Sequence, residues 1–276
     1  MRANHVKRRL AGGEPSVGTW LALPTPEGAE YIGGLGFDWL VIDTEHSPID
    51  IRTLALMFAA LSASASAPMV RIPWNTPEYF KRALDAGAWG VVVPMVNSAA
   101  EAEQAVAAMR YPPQGSRSVG GGRFACGFDT TVDQYFRHAG DELLLVVQIE
   151  HIRGVEAADA ILAVPGVDAC FIGPNDLAAS MGIGIGVPLE SDDPRLVEAI
   201  DHVRRACDRH GVAPSIHCSG AAGVTKRLSE GFRFCAMASD LRYMLSGLQA
   251  DLARIPWHAS EAATIATADR GSIVRY

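Results

Sequence analysis

The chain has 276 residues, 49% of them hydrophobic and 20% charged, with a formal net charge of -7. That balance describes a soluble globular protein long enough for one α/β barrel, and the negative charge excludes a broad nucleic-acid footprint. Five scattered cysteines without zinc-ligand spacing indicate reduced thiols and a cytoplasmic setting, and no apolar run is long enough to span a bilayer.

Strand-like and helix-like stretches alternate along the chain. A strand at 16–23 precedes a helix at 27–35, which Gly36 ends. A second strand, 38–45, is followed by a helix at 51–63. The third strand is 67–73, and Pro77 opens the next helix, where its missing N–H costs nothing. The fourth pair is 89–96 and 99–110. A long segment, 111–140, then interrupts the alternation; it holds Gly120-Gly-Gly122, Arg123 and a short helix at 132–137. The fifth strand, 143–150, is a continuous aliphatic run, the pattern of a strand buried on both faces. A helix at 154–163, a strand from Ala169, a helix at 194–210, and the pairs 213–217 with 220–230 and 233–238 with 241–254 complete the series. About eight strand–helix units imply a (β/α)8 barrel, a TIM barrel. The rival is a doubly wound open sheet, weakened by the lack of a Gly-rich turn after the first strand. We expect one barrel domain over 1–256, with 111–140 as an inserted loop, and a C-terminal extension at 257–276.

Barrel enzymes carry their site at the C-terminal ends of the strands. There this sequence sets Trp20, Asp43-Thr-Glu-His46, Arg71, Pro94-Met95, Gln148 with Glu150, Gly173-Pro174-Asn175-Asp176, His217 and Ser239-Asp240, in strand order. Glu150 and Asp176 close consecutive strands. Adjacent strands lie about 4.8 Å apart, so both carboxylates can reach one cation. Two carboxylates with open positions suit Mg²⁺ or Mn²⁺; otherwise each acid caps the next helix or pairs with an arginine. Asp43 and His46 share one turn, where a carboxylate can fix an imidazole as a general base; the bland alternative is a surface turn. Arg71, in an apolar strand, suits bidentate capture of a carboxylate, or an internal ion pair with Glu45 or Glu150.

Trp20, Asp43-x-Glu-His46-x-Pro48, Val70-Arg71-x-Pro73, Val93-Pro-Met95, Arg110-Tyr-Pro-Pro-x-Gly115, Gln148-x-Glu150 and Phe171-Ile-Gly-Pro-x-Asp-Leu177 together resemble the HpcH/HpaI family. The resemblance runs over 18–254. These are class II, metal-dependent pyruvate aldolases on a phosphoenolpyruvate/pyruvate-type barrel, acting on 4-hydroxy-2-oxo acids such as 4-hydroxy-2-oxoheptanedioate and 2-keto-3-deoxy sugar acids. The resemblance implies reversible cleavage to pyruvate and an aldehyde through an enolate. It implies that Glu150 and Asp176 hold Mg²⁺ or Mn²⁺, with Co²⁺ a further candidate. His46 and Asp43 would form the base dyad, and Arg71 would bind the pyruvyl group and stabilise enolate charge. Trp20, Gln148, Gly173, Pro174 and Asn175 would line the substrate site, the backbone N–H groups of Asn175 and Asp176 meeting the carboxylate end. Asp85 would reach a neighbouring subunit's site in a homohexamer, a trimer of dimers exchanging the last barrel helix.

No lysine lies at a strand end, which favours this metal chemistry over a Schiff base. Two alternatives stand beside it: an oxaloacetate decarboxylase or condensing enzyme on the same scaffold, and a non-catalytic binding protein. Three places depart from the family pattern: 120–124, His151 after Glu150, and Ile216-His217-Cys218, where aliphatic residues more often line the aldehyde pocket. His217 and Arg123 are therefore expected to recognise a polar or anionic acceptor.

Overall fold

Eight strands pair in parallel in chain order, and the last returns to the first. They are β1 (Ser16–Leu21), β2 (Trp39–Asp43), β3 (Ala67–Arg71), β4 (Gly90–Val93), β5 (Leu144–Ile149), β6 (Ala169–Ile172), β7 (Ala213–Cys218) and β8 (Phe234–Ser239). This is the closed (β/α)8 barrel that the alternation predicts. The structure is a computed structural model and describes residues 1–255; the extension expected at 257–276 lies outside the described residues. Strands such as β4, β5 and β6 are almost wholly apolar and buried, because a parallel sheet ringed by helices has no wet face. Gly18 is required by packing. A Cβ there would run into the Trp39 ring, which stacks on Phe234 at 4.0 Å inside the barrel.

The first helix, α1 (His5–Ala11), was not foreseen. It buries Val6 and Leu10 across the N-terminal ends of the strands. Asn4 caps it and donates through Nδ2 to Trp89 O (3.1 Å) and Glu142 O (2.9 Å). Lys7 Nζ donates to Leu143 O (2.7 Å) and Asp168 (3.1 Å), and Arg9 to Asp38 (2.9 Å). The barrel floor is thus closed by the start of the chain.

The next helices are α2 (Pro26–Gly33), α3 (Ile51–Ala60), α4 (Pro77–Ala86) and α5 (Ala99–Met109). Thr25, Asp50 and Ser98 each accept a first-turn backbone N–H, which fixes three of these starts. Segment 111–140 is more ordered than a loop. It contains α6 (Arg123–Gly127) and α7 (Val132–Glu142), the latter running past the expected 132–137 and through Gly140. Residues 154–163 divide into α8 (Ile152–Glu156) and α9 (Ala158–Leu162), broken at Ala157. After β6 comes α10 (Pro174–Ser180), hidden in sequence because Gly-Pro-Asn-Asp reads as a turn; Pro174 opens its first turn. The remaining helices are α11 (Pro194–His210), α12 (Ala221–Ser229) and α13 (Asp240–Leu252). No helix among the described residues is long and apolar enough to cross a membrane.

Candidate active site

Asp43 ends β2 and Arg71 ends β3, directly opposite one another in the strand register. Arg71 therefore meets Asp43 side by side, donating from Nε to Oδ1 (2.9 Å) and from Nη2 to Oδ2 (2.6 Å). Its Nε also lies 3.2 Å from Glu45 Oε2, and its Cζ lies 4.5 Å from the centre of the Trp20 ring. Arg71 thus makes a bidentate grip on Asp43, and its guanidinium plane is fixed by stacking on Trp20. Burial alone would raise the Asp43 carboxyl, but the Arg71 charge and hydrogen bonds override it and hold Asp43 below the usual range. Burial opposes the Arg71 charge, and the carboxylates of Asp43, Glu45 and Glu150 more than restore it.

The turn after β2 is tied to the same carboxylate. Backbone N–H groups of Glu45 (3.1 Å) and His46 (3.4 Å) donate to Asp43 Oδ1. The His46 imidazole is exposed at its edge, with Nε2 3.7 Å from Glu45 Oε2. Burial and the Arg71 charge push His46 down, against Asp43 and Asp176. Sequence position offers Glu45 only as a partner for Arg71. It lies between Arg71 and His46, and burial with the charges of Glu150, Asp43 and Asp176, opposed by Arg71, pushes it up to about 7.

Glu150 follows β5 and is 3% exposed. It accepts from Met95 N (2.8 Å) and from Gln148 Nε2. Met95 sits at φ +54, a left-handed conformation that costs a residue with a Cβ roughly 1–3 kcal/mol. That strained turn aims its N–H at the carboxylate. Across from it, a Cβ on Gly173 would lie 2.7 Å from Glu150 Oε2, so glycine lets the start of α10 approach the acid. Pro174 is buried there, Asn175 Oδ1 is buried without a partner, and Asp176 stands exposed on the first turn. Burial, with the nearby Asp176 charge and against the Met95 and Gln148 hydrogen bonds, pushes Glu150 up to about 7.

Trp20 is buried in the barrel mouth, edge-on to Phe171 (5.4 Å) and 5.9 Å from the His217 ring. Four buried polar atoms at this mouth have no hydrogen-bond partner among the described residues: Trp20 Nε1, Gln148 Oε1, Asn175 Oδ1 and His217 Nε2. Buried polar atoms are ordinarily paired, so their convergence marks a place for a ligand. Asp240, also on the expected ring, instead clamps the end of β1, accepting from Ala22 N (2.8 Å) and Leu23 N (3.2 Å). His151 caps α8, its Nδ1 accepting from Arg153 N (3.1 Å).

Within one chain, Asp85 and Arg123 are not at this mouth. Asp85 lies in the last turn of α4, toward the strand N-terminal ends. It accepts from the buried Arg117 (2.8 Å), which also donates to Tyr135 OH (3.0 Å). Arg123 lies beside Gly87 and donates to Ala55 O (3.2 Å). Arg117 was missed in sequence; its signal was an arginine inside an otherwise small-residue segment.

The donor set fits a cation. Four carboxylates, Asp43, Glu45, Glu150 and Asp176, face one fixed positive charge, Arg71, and two of the four are raised by burial and mutual repulsion. No group of three or more His, Cys, Asp or Glu residues suited to a metal occurs among the described residues. A cation here would rest on two carboxylates and keep positions open, as oxygen-liganded Mg²⁺ commonly does.

A sequence profile described as HpcH/HpaI aldolase/citrate lyase matches residues 16–246. The 5-keto-4-deoxy-D-glucarate aldolase of Shigella dysenteriae is 42% identical over 246 residues, 89% of this chain and 94% of that one. The crystal structure of an HpcH/HpaI aldolase/citrate lyase family protein from Burkholderia cenocepacia superposes with a TM-score of 0.85 at 35% identity, covering 92% and 100% of the two chains. That of the citrate synthase SbnG gives 0.80 at 28% identity, covering 92% and 98%. The mouth of this barrel, with its carboxylates, paired arginine and unpartnered polar atoms, therefore belongs to an enzyme of carbon–carbon bonds, a lyase, and the chain is a member of the HpcH/HpaI aldolase/citrate lyase family.

Proposed function

We propose that the protein reversibly cleaves a 4-hydroxy-2-oxo sugar acid to pyruvate and an aldehyde, with a divalent cation, Mg²⁺ or Mn²⁺, held by Glu150 and Asp176. The observation that carries this reading is the set of acids at the mouth, Asp43, Glu45 and the buried Glu150, set against the single Arg71, with unpartnered polar atoms beside them. The sugar-acid class is supported by the name of the Shigella relative. When bound, the ion supplies Lewis-acid stabilisation of enolate charge.

The chain's own residues do the rest. Arg71, locked by Asp43 and Trp20, presents fixed positive charge toward the oxygen that becomes negative, and its preorganisation removes a reorganisation cost. His46, pushed down and hence neutral near pH 7, can take the proton of the substrate hydroxyl and return it in the reverse direction. Asp43 holds Arg71 and the turn that carries His46. Gln148 and Glu150 brace each other, leaving Gln148 Oε1 and Asn175 Oδ1 for substrate. An imine route has no nucleophile. The chain has three lysines: Lys7 is tied at the floor, and Lys81 and Lys226 lie on α4 and α12.

Pyruvate methyl protons should exchange in D₂O, and EDTA should abolish both exchange and aldol cleavage until Mg²⁺ or Mn²⁺ is restored. Full activity in chelator, or borohydride trapping of a pyruvate adduct, would sink the proposal. The likeness to the citrate synthase SbnG supports a second reading, in which oxaloacetate supplies the enolate. Product analysis with oxaloacetate, with and without aldehydes, separates the two.

A homo-oligomer goes with this reading. Helix α13 has no buried residue and exposes Tyr243, Met244, Leu248 and Leu252 at helical spacing, an apolar face suited to a second copy of the chain. In such an assembly Asp85 would serve a neighbouring site. Light scattering should find an oligomer that Leu248→Glu weakens; a monomeric wild type would refute it.

A further inference from the structure

Two consecutive N–H groups between β4 and α5 serve the buried end of β5. Met95 N donates to Glu150 Oε1 (2.8 Å), and Val96 N donates to Gln148 O (3.0 Å). Successive N–H groups of an extended strand point to opposite sides, so both can face β5 only where the chain departs from extension. Met95 supplies that departure at φ +54. A left-handed conformation in a residue with a Cβ persists only where its surroundings over-determine it. Whatever holds Met95 there also holds the donor of the Glu150 carboxylate.

That holder lies two residues on. Asn97 turns its side chain back and donates from Nδ2 to Met95 O (2.8 Å). A carbonyl can only accept, so the amide must present its nitrogen there. Its Oδ1 is left buried with no partner among the described residues, and it faces Gly154 of α8, where a Cβ would stand 3.2 Å away. An unpaired buried oxygen is costly, and here it accompanies the bond to Met95. Asn97 is itself anchored. Its backbone N donates to Glu101 Oε2 (2.5 Å), while Glu101 N donates to Ser98 Oγ (3.3 Å), the N-cap of α5. Asn75 Nδ2 donates to Glu101 O (2.9 Å), joining the turn after β3 to the same helix start. The start of α5 thus holds Asn97, Asn97 holds Met95, and Met95 holds Glu150.

We propose that Asn97 is a positioning residue for the cation site. By clamping Met95 O it keeps the left-handed turn that aims Met95 N–H at Glu150, and so orients that carboxylate toward a divalent ion. Asn97 itself need touch neither substrate nor ion. The proposal rests on the reading of Glu150 as a ligand and adds the residue that sets its orientation.

The test is a double-substitution cycle read as the Mn²⁺ Kd in titration calorimetry, with kcat/KM beside it. Asn97→Ala removes the side-chain donor and keeps the backbone bond to Glu101. It should weaken Mn²⁺ binding about 10-fold, the scale of losing a group that orients a ligand. Glycine adopts φ +54 without strain, so in the Met95→Gly chain the same Asn97→Ala change should weaken Mn²⁺ by less than about 3-fold. An unchanged Kd in Asn97→Ala, with only its melting temperature in EDTA lowered, would overturn the proposal and leave Asn97 a loop stabiliser. An equal loss of Mn²⁺ affinity in both backgrounds would also overturn it, since the strain at Met95 would then play no part. Should Asn97→Ala fail to fold, the double variant decides: it should fold and bind Mn²⁺ within about 3-fold of Met95→Gly, and its failure to fold would overturn the proposal too. A wild type that binds no Mn²⁺ would instead overturn the reading of Glu150 as a ligand, and this proposal with it.

Discussion

Replacing Glu150 by glutamine should stabilise the metal-free protein while removing its response to divalent cations. The Glu150 carboxyl is 3% exposed and is pushed from 4.5 to about 7. One pKa unit is worth about 1.4 kcal/mol, so ionising it in the fold costs roughly 3 kcal/mol relative to the unfolded chain. The raised folded pKa sets the sign. Below pH 4.5 the group is neutral in both states and costs nothing. Between 4.5 and about 7 the unfolded chain ionises while the folded chain keeps its proton, and stability falls. Above about 7 the full penalty applies. Glutamine never ionises, and its amide oxygen can still accept from Met95 N. For a barrel of this size, roughly 3 kcal/mol corresponds to about 5–10 °C in melting temperature. Scanning calorimetry in EDTA should therefore show Glu150→Gln melting about 5–10 °C above wild type at pH 8, and level with it at pH 4.5. Mn²⁺ at pH 8 should raise the wild type and leave the variant unmoved. A variant that melts lower than wild type at pH 8 in EDTA, or an equal Mn²⁺ shift in both proteins, would refute the reasoning.

Arg71→Lys cannot span both Asp43 oxygens or stack on Trp20, and kcat/KM should drop by at least roughly 100-fold with the fold retained; a loss under about 5-fold in steady-state assays would reduce Arg71 to a counter-ion. Gly173→Ala puts a Cβ 2.7 Å from Glu150 Oε2. Displacing that carboxylate should weaken Mn²⁺ binding by about 10-fold in titration calorimetry, and an unchanged Kd would show that Glu150 is not a ligand. Gly18→Ala drives a methyl into the Trp39 ring and should cost roughly 2–4 kcal/mol or prevent folding, read as soluble yield and melting temperature.

The barrel was legible because a parallel sheet writes itself as aliphatic runs separated by amphipathic stretches. The strand-end residues were legible because such strands tolerate polar groups mainly where they leave the sheet. Pairings between strands were less so. Asp43 and Arg71 are opposite each other only through the β2–β3 register, and sequence spacing alone offers His46 as the partner of Asp43. Glu45 was passed over because burial, not position in the motif, is what raises it. Helix α1 had a signal in Asn4, Val6 and Leu10, a cap followed by two apolar residues one turn apart, but a basic N-terminal stretch hides it. Gly140 hid the length of α7. The left-handed turn at Met95 left no trace, since methionine rarely adopts a positive φ and no residue type announces it.

Helix α1 has a kinetic consequence. With Asn4, Lys7 and Arg9 stitched across the floor, the described residues cover the N-terminal ends of the strands and leave the approach to the polar mouth at the other end. Both halves of any substrate must enter and depart through it. A substrate half that reached the buried Gln148 and Glu150 would be first in and last out. Turnover through such a cul-de-sac is ordered by depth, whatever the chemistry at its end.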